Sequence, residues 1–127
     1  MQTNTKQLGY TLIEMMVAVG LLAVLSAIAI PVYNEYISTS RIGALVNNIA
    51  TIEVFEEDFR LRNGTYQQGV FNGTPDADLI LLGWRPQEND GTVYTIDTAT
   101  VPGSYQVTAV DRAGTTVCRQ LPEKIAC

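Results

Sequence analysis

The sequence predicts an α+β protein in which one long N-terminal helix packs on a small antiparallel sheet. Three observations predict it. An apolar run without a charge extends from Met15 to Ile30, a helical stripe of apolar residues continues as far as Phe59, and β-branched segments are confined to the last third of the chain. The helix therefore reads as hydrophobic all round in its first half and amphipathic in its second.

From Tyr10 to Ile30 the segment has 21 residues, roughly 31 Å as a helix against a bilayer core of about 30 Å. That is long enough to span or exit a membrane. Glu14 is the one acid in it, placed at the entrance, where a carboxylate is costly; composition and pattern supply no folding rationale for it. Beyond Pro31, the residues Ile42, Leu45, Ile49, Ile52, Phe55 and Phe59 are spaced 3, 4, 3, 3 and 4 apart, one stripe of an α-helix. Between them Arg41, Asn47, Asn48, Glu53, Glu56, Glu57, Asp58 and Arg60 form the wet flank, and Glu53 to Asp58 reads as a solvated helix face rather than a metal site. Asn63-Gly64 supplies the stop, so the helix is expected from about Tyr10 to Leu61. Two residues inside it cost helix propensity, Gly20 by about 1 kcal/mol and Pro31 by about 3. They mark either a kink at the membrane exit or a segment able to unwind under load.

Residues 63–91 are rich in Gly, Asn, Asp and Pro and read as a long loop, with the apolar island Leu79 to Trp84 packed on the helix. Strand signals follow over residues 92–98, 104–110 and 115–119, with Pro102-Gly103 and Asp111 to Gly114 as the turns between them. The expectation is a three-stranded meander with one face on the helical stripe. Cys118 and Cys127 lack the C-x-x-C spacing of a redox pair. If the head is exported, an oxidising compartment favours a disulfide, and closing a loop of that length contributes about 2.5 to 3 kcal/mol in the chain-entropy model.

Composition narrows the function classes. Eight Lys and Arg against thirteen Asp and Glu give a net charge of −5 over 127 residues, which argues against direct nucleic-acid binding, because phosphate contacts depend on clustered cations. The chain has no His and two Cys, which removes the commonest general base and leaves too few ligands for a zinc site. No catalytic residue, cofactor or metal site is expected. The apolar run admits one competing reading: Lys6 followed by Ala27-Ile28-Ala29 fits a secretory signal peptide cut after Ala29, leaving an exported binding module. Glu14 and the continuation of the helical pattern past Ala29 count against it.

The stretch Leu8-Gly9-Tyr10-Thr11-Leu12-Ile13-Glu14-Met15-Met16 resembles the processing site of type IV pilins. The resemblance implies that a prepilin peptidase cuts after Gly9 and methylates the amine freed at Tyr10. It divides the chain into a leader (1–9), a transmembrane and filament-core helix (10–37) and a globular head (38–127). Pro31 falls where the family carries a proline, the helix with a small sheet head is similar to the pilin fold, and the pair Cys118 and Cys127 resembles the one that closes the family's last loop. Tyr10 departs from the usual phenylalanine but keeps the ring. The short leader resembles the type IVa branch, and the small head with its short cysteine loop resembles minor pilins of the PilE type; major or minor stays open.

As a member of that family the chain is implied to be anchored once in the inner membrane with its head in the periplasm. It then leaves the lipid bilayer, through an inner-membrane assembly platform, for an extracellular filament of other pilin subunits. Glu14 is implied to pair with the amine of a neighbouring subunit, although residues four apart share a helix face and a pair with Tyr10 of the same chain is also open. Adhesion, motility and DNA uptake are uses of such a filament. A pseudopilin of type II secretion, which shares the processing site and often binds calcium, is the alternative. Asp76-Ala77-Asp78 and Glu88-Asn89-Asp90-Gly91 offer oxygen ligands, but at low density, and turn chemistry accounts for both. Asn63-Gly64-Thr65 and Asn72-Gly73-Thr74 fit a glycosylation pattern, with Asn-Gly turns as the simpler account.

Overall fold

The computed structural model describes residues 9–99 and 103–127. Leader residues 1–8, with Lys6 and Leu8, and Pro102 of the expected turn lie outside the described residues. The element order is α1 (Leu12–Asn63), β1 (Gly69–Asn72), α2 (Ala77–Leu82), β2 (Val93–Asp97), β3 (Tyr105–Val110), β4 (Thr116–Leu121) and β5 (Ile125–Ala126). The chain divides into two compact units, the second being Ser40–Cys127.

In the first unit α1 runs unbroken through Gly20 and Pro31. Every large apolar side chain from Met15 to Ile30 is 55–66% exposed. An apolar surface of that extent is not left to water and has to be covered by lipid or by other protein.

In the second unit the strands form one antiparallel sheet in the order β1-β2-β3-β4-β5. Alternation along each strand sends one set of side chains to the helix. The register aligns Phe71 with Tyr94 and Tyr94 with Ala109, then Ile96 with Val107, then Tyr105 with Leu121. These seven side chains are buried with Leu45, Ile49 and Ile52 of α1 and with Leu79, Leu82 and Trp84. Trp84 is the keystone. Its ring meets Tyr94 edge-on at 5.1 Å and Phe71 at 6.3 Å, and its Nε1 donates to Thr51 Oγ1 at 2.8 Å. Thr51 donates in turn to the Asn48 carbonyl, and Asn48 Nδ2 donates to the Tyr94 hydroxyl. Trp84 Nε1, Thr51 Oγ1 and the Tyr94 hydroxyl thus each have a partner, as burial requires.

The helical stripe differs from the expected one in phase. Leu45, Ile49, Ile52 and Glu56 are the buried positions of α1, with Phe59 packed beside them, while Ile42 and Phe55 are about 40% exposed. Spacings of 4, 3, 4 and 3 follow the helix more closely than 3, 4, 3, 3 and 4, so position 56 faces the sheet and position 55 turns out of it. Glu56, expected on the wet flank, is fully buried.

The sheet has five strands where three were expected, and the long loop contains both β1 and α2. Asp76 caps α2, accepting from Leu79 N at 2.8 Å, and Gly83 ends it at φ 80°, a left-handed conformation that suits glycine. The same aspartate closes the outer edge of β1: Val70 N donates to Asp76 Oδ2, Asp76 N donates to the Val70 carbonyl, and Asn72 N donates to the Thr74 carbonyl. Asp90 accepts from Thr92 N and Asp111 from Thr115 N. The acidic loops are therefore built on capping and turn bonds, as expected.

Candidate processing and assembly site

The α1 helix begins with a capping box. Thr11 N and Thr11 Oγ1 both donate to Glu14 Oε2, at 2.8 and 2.7 Å, and Glu14 N donates back to Thr11 Oγ1 at 3.3 Å. Each side chain satisfies a backbone donor that the first turn leaves without an intrahelical acceptor. Glu14 thus has a folding role after all. The signal was present in the sequence as Thr-x-x-Glu ahead of an apolar run, a pattern that marks a helix start. Beyond it Ile13, Val17, Ala18 and Leu21 line a shallow apolar groove along the same face as Glu14. Gly9 and Tyr10 precede the helix and are exposed. Nothing lies within 4 Å of a Cβ added to Gly9.

The first half of α1 is long and apolar enough to cross a membrane, and none of it is buried. The segment carries the features of an anchor, with an anionic cap at its start and aliphatic surface in every direction.

At the other end of the chain Cys118 and Cys127 form a disulfide. It lies on the face of the sheet opposite the core, since Cys118 aligns with Thr108 and Thr95, whose side chains alternate outward. Gln106 Nε2 and Thr108 Oγ1 donate to Cys118 Sγ at 2.8 and 3.5 Å. The tail is held a second time by Lys124, whose Nζ lies 3.1 Å from Glu53 Oε1. Among the described residues no group of three or more His, Cys, Asp or Glu is placed to hold a metal ion.

The polar surface near the end of α1 is a connected set. Tyr66 donates to Glu57 Oε1 at 2.7 Å, and Arg60 donates twice to Glu57 Oε2 while its guanidinium lies 5.3 Å above the Tyr66 ring. The Tyr66 hydroxyl, then Arg60, hold the Glu57 carboxyl below its ordinary range. A separate cleft of about 400 Å³ is lined by Arg41, Leu45, Asp90, Tyr94, Asp111 and Arg112.

Residues 4–30 match the family model of the prokaryotic N-terminal methylation motif. Residues 31–122 match the model described as type IV minor pilin ComP, DNA uptake sequence receptor. The chain belongs to the type IV pilins. Its head matches the ComP minor-pilin family. Among curated pilin relatives, the type IV major fimbrial protein FimA of Dichelobacter nodosus is 30% identical, with 72% of this chain and 67% of that one covered. Fimbrial protein EcpB of Eikenella corrodens is 26% identical over 66% of this chain and 56% of its own. Prepilin peptidase-dependent protein D of Escherichia coli K12 is 36% identical over 55% and 49%. The pilin chain thus spans about half to two thirds of the length of these relatives. No solved structure matches it significantly.

Proposed function

We propose that this pilin is a structural subunit, not an enzyme, of a type IV pilus, and a minor rather than a bulk component. A prepilin peptidase cuts after Gly9 and methylates Tyr10, the helix over residues 10–37 holds the protein in the inner membrane, and the assembly platform passes it into a filament. The observation that supports this most is the methylation motif running directly into a helix whose large apolar side chains from Met15 to Ile30 are all exposed. Lipid covers them first and neighbouring helices cover them afterwards, in a head-to-tail array that does not close. The identity and mass of the N-terminal residue of protein from its native envelope test it. Methylated Tyr10 is expected, whereas Ile30 would mean a cleaved signal peptide and an exported module.

Glu14 is the proposed assembly contact, pairing with the amine of the next subunit, and its capping bond sets the form of the test. Glu14→Gln keeps an acceptor for Thr11 and removes the charge, while Glu14→Leu removes both. Both variants should still be cleaved and inserted, and both should be depleted from sheared pili by about tenfold, the scale of one lost charge-assisted contact. Undiminished recovery of Glu14→Gln would reduce the carboxylate to a helix cap.

A second reading, contact with DNA by the head, is favoured by the ComP model that spans residues 31–122. It runs against the expectation drawn from net charge, since residues 40–127 carry seven Lys and Arg and eleven Asp and Glu. Binding would have to be local. Arg41, Arg85, Arg112 and Arg119 form no ion pair among the described residues, and two of these arginines line the cleft described above. Duplex binding by the purified protein that weakens steeply between about 50 and 200 mM salt would support this reading. No binding at the lower salt would leave the filament role alone.

A further inference from the structure

Glu56 is a carboxylate in the wrong place for its charge. It is fully buried between α1 and the sheet, at a position of the stripe otherwise held by Leu45, Ile49 and Ile52. One oxygen, Oε2, accepts from Gln67 N at 2.9 Å, and the other, Oε1, has no partner. The Tyr105 hydroxyl, also fully buried, has none either. Gln67 belongs to the short connection, residues 64–68, that carries the chain from α1 into β1.

Among the described residues, the groups around Glu56 offer it no cation. On α1 itself, Arg60 is bound to Glu57 and the nearby Glu53 is bound to Lys124 from the turn before β5. Arg119 of β4 shares a groove with Glu53 and Lys124. Tyr66 of the connection donates its hydroxyl to Glu57. From β3, Tyr105 presents a phenol that the charges of Glu56 and Glu53 keep protonated, after burial as the main cause. Each of these ionisable neighbours is therefore an acid, a phenol, a base already paired, or, for Arg119, a base in the groove beside Glu53.

We propose that Glu56 is a proton-operated latch on the connection between α1 and β1: with its proton it holds Gln67 against the helix, and on losing it admits water and releases the connection. A neutral carboxyl fits a dry site and gains an O–H to donate from Oε1. A charged one has a single hydrogen bond and no counter-ion, and hydrating it means parting residues 64–68 from the core. Burial, reinforced by Glu57 and opposed by the bond from Gln67, pushes the carboxyl up to about 7, against 4.5 when open to water. The closed form is thus fully favoured below 4.5, loses ground as pH rises, and levels off above about 7. The latch works in the range between mild acid and neutrality.

The test is amide hydrogen exchange at Gln67 in the full chain in detergent micelles, corrected for the intrinsic effect of pH on exchange. Protection is expected to fall by up to about tenfold per pH unit between pH 5 and 7 and to level above, as linkage to a single proton requires. In Glu56→Gln, which cannot ionise, protection at Gln67 should stay flat across the same range. A parallel carbon-13 titration of the wild-type Glu56 carboxyl decides the matter even where the variant folds poorly. A midpoint near 7 supports the latch. A midpoint near 4.5, or identical pH profiles at Gln67 in the two proteins, would overturn it.

Discussion

A chain in which valine replaces Gly9 is expected to remain at full length in the membrane and to be absent from pili. The structure isolates the cause of that loss. Gly9 is exposed, precedes the helix, and has open space where a side chain would go, so valine there leaves the fold and the anchor untouched. Any defect then belongs to the peptidase, which has to bring the backbone close at the scissile bond. Loss of cleavage should exceed about a hundredfold, because a branched side chain displaces the bond from its reactive geometry. Mass spectrometry of membrane-extracted protein gives the readout: Gly9→Val protein beginning at Tyr10 would remove Gly9 from the proposed processing site.

Trp84→Ala is expected to be the most damaging single change in the head. It empties a fully enclosed site, removes the ring that meets both Phe71 and Tyr94, and leaves Thr51 Oγ1 without the indole donor. Deletion of a buried Trp side chain costs about 3 to 5 kcal/mol, a large share of the stability of a domain this size. The melting temperature of the head transition should fall by about 4 °C or more for each kcal/mol lost. Trp84→Phe refills part of the volume without the N–H, and should lie between alanine and wild type. A fall of less than a few degrees in Trp84→Ala would mean that α1 and the sheet are held by the other contacts.

Much of this architecture is legible in the residues because single segments decide it. The apolar run is helical by length and composition alone, and β2, β3 and β4 announce themselves through Val, Thr, Ile and Tyr on alternating positions. What escaped depends on partners remote in sequence. Gly69–Asn72 is a strand because the edge of β2 is there to receive it, and Ile125–Ala126 is one because β4 and the disulfide hold it. Residues 77–82 form a helix too short for periodicity to show, although Asp76 and Gly83 mark its two ends. Glu56 escaped for a different reason: residue type outvoted phase, and an acid was assigned to water although the helical count put it between Ile52 and Phe59. At the N-terminal site the motif residues are all visible, and the bond between Thr11 and Glu14 is legible only when the carboxylate is read as an acceptor as well as a charge.

The way Asp76 closes the outer side of β1 bears on how copies of this protein tolerate one another. Subunits crowded in a bilayer, or stacked along a fibre, hold their heads at concentrations where bare strand edges would zip together into continuous sheets. Here the outward amide and carbonyl of Val70 are both occupied, and Asn72 is folded back onto Thr74. At the opposite border the sheet tapers to two residues and a cross-link. Neither border offers a long template for another chain. In the proposed filament, contact between copies then falls to the aliphatic helices, which bury side chains without sharing backbone hydrogen bonds, where a shared sheet would set irreversibly.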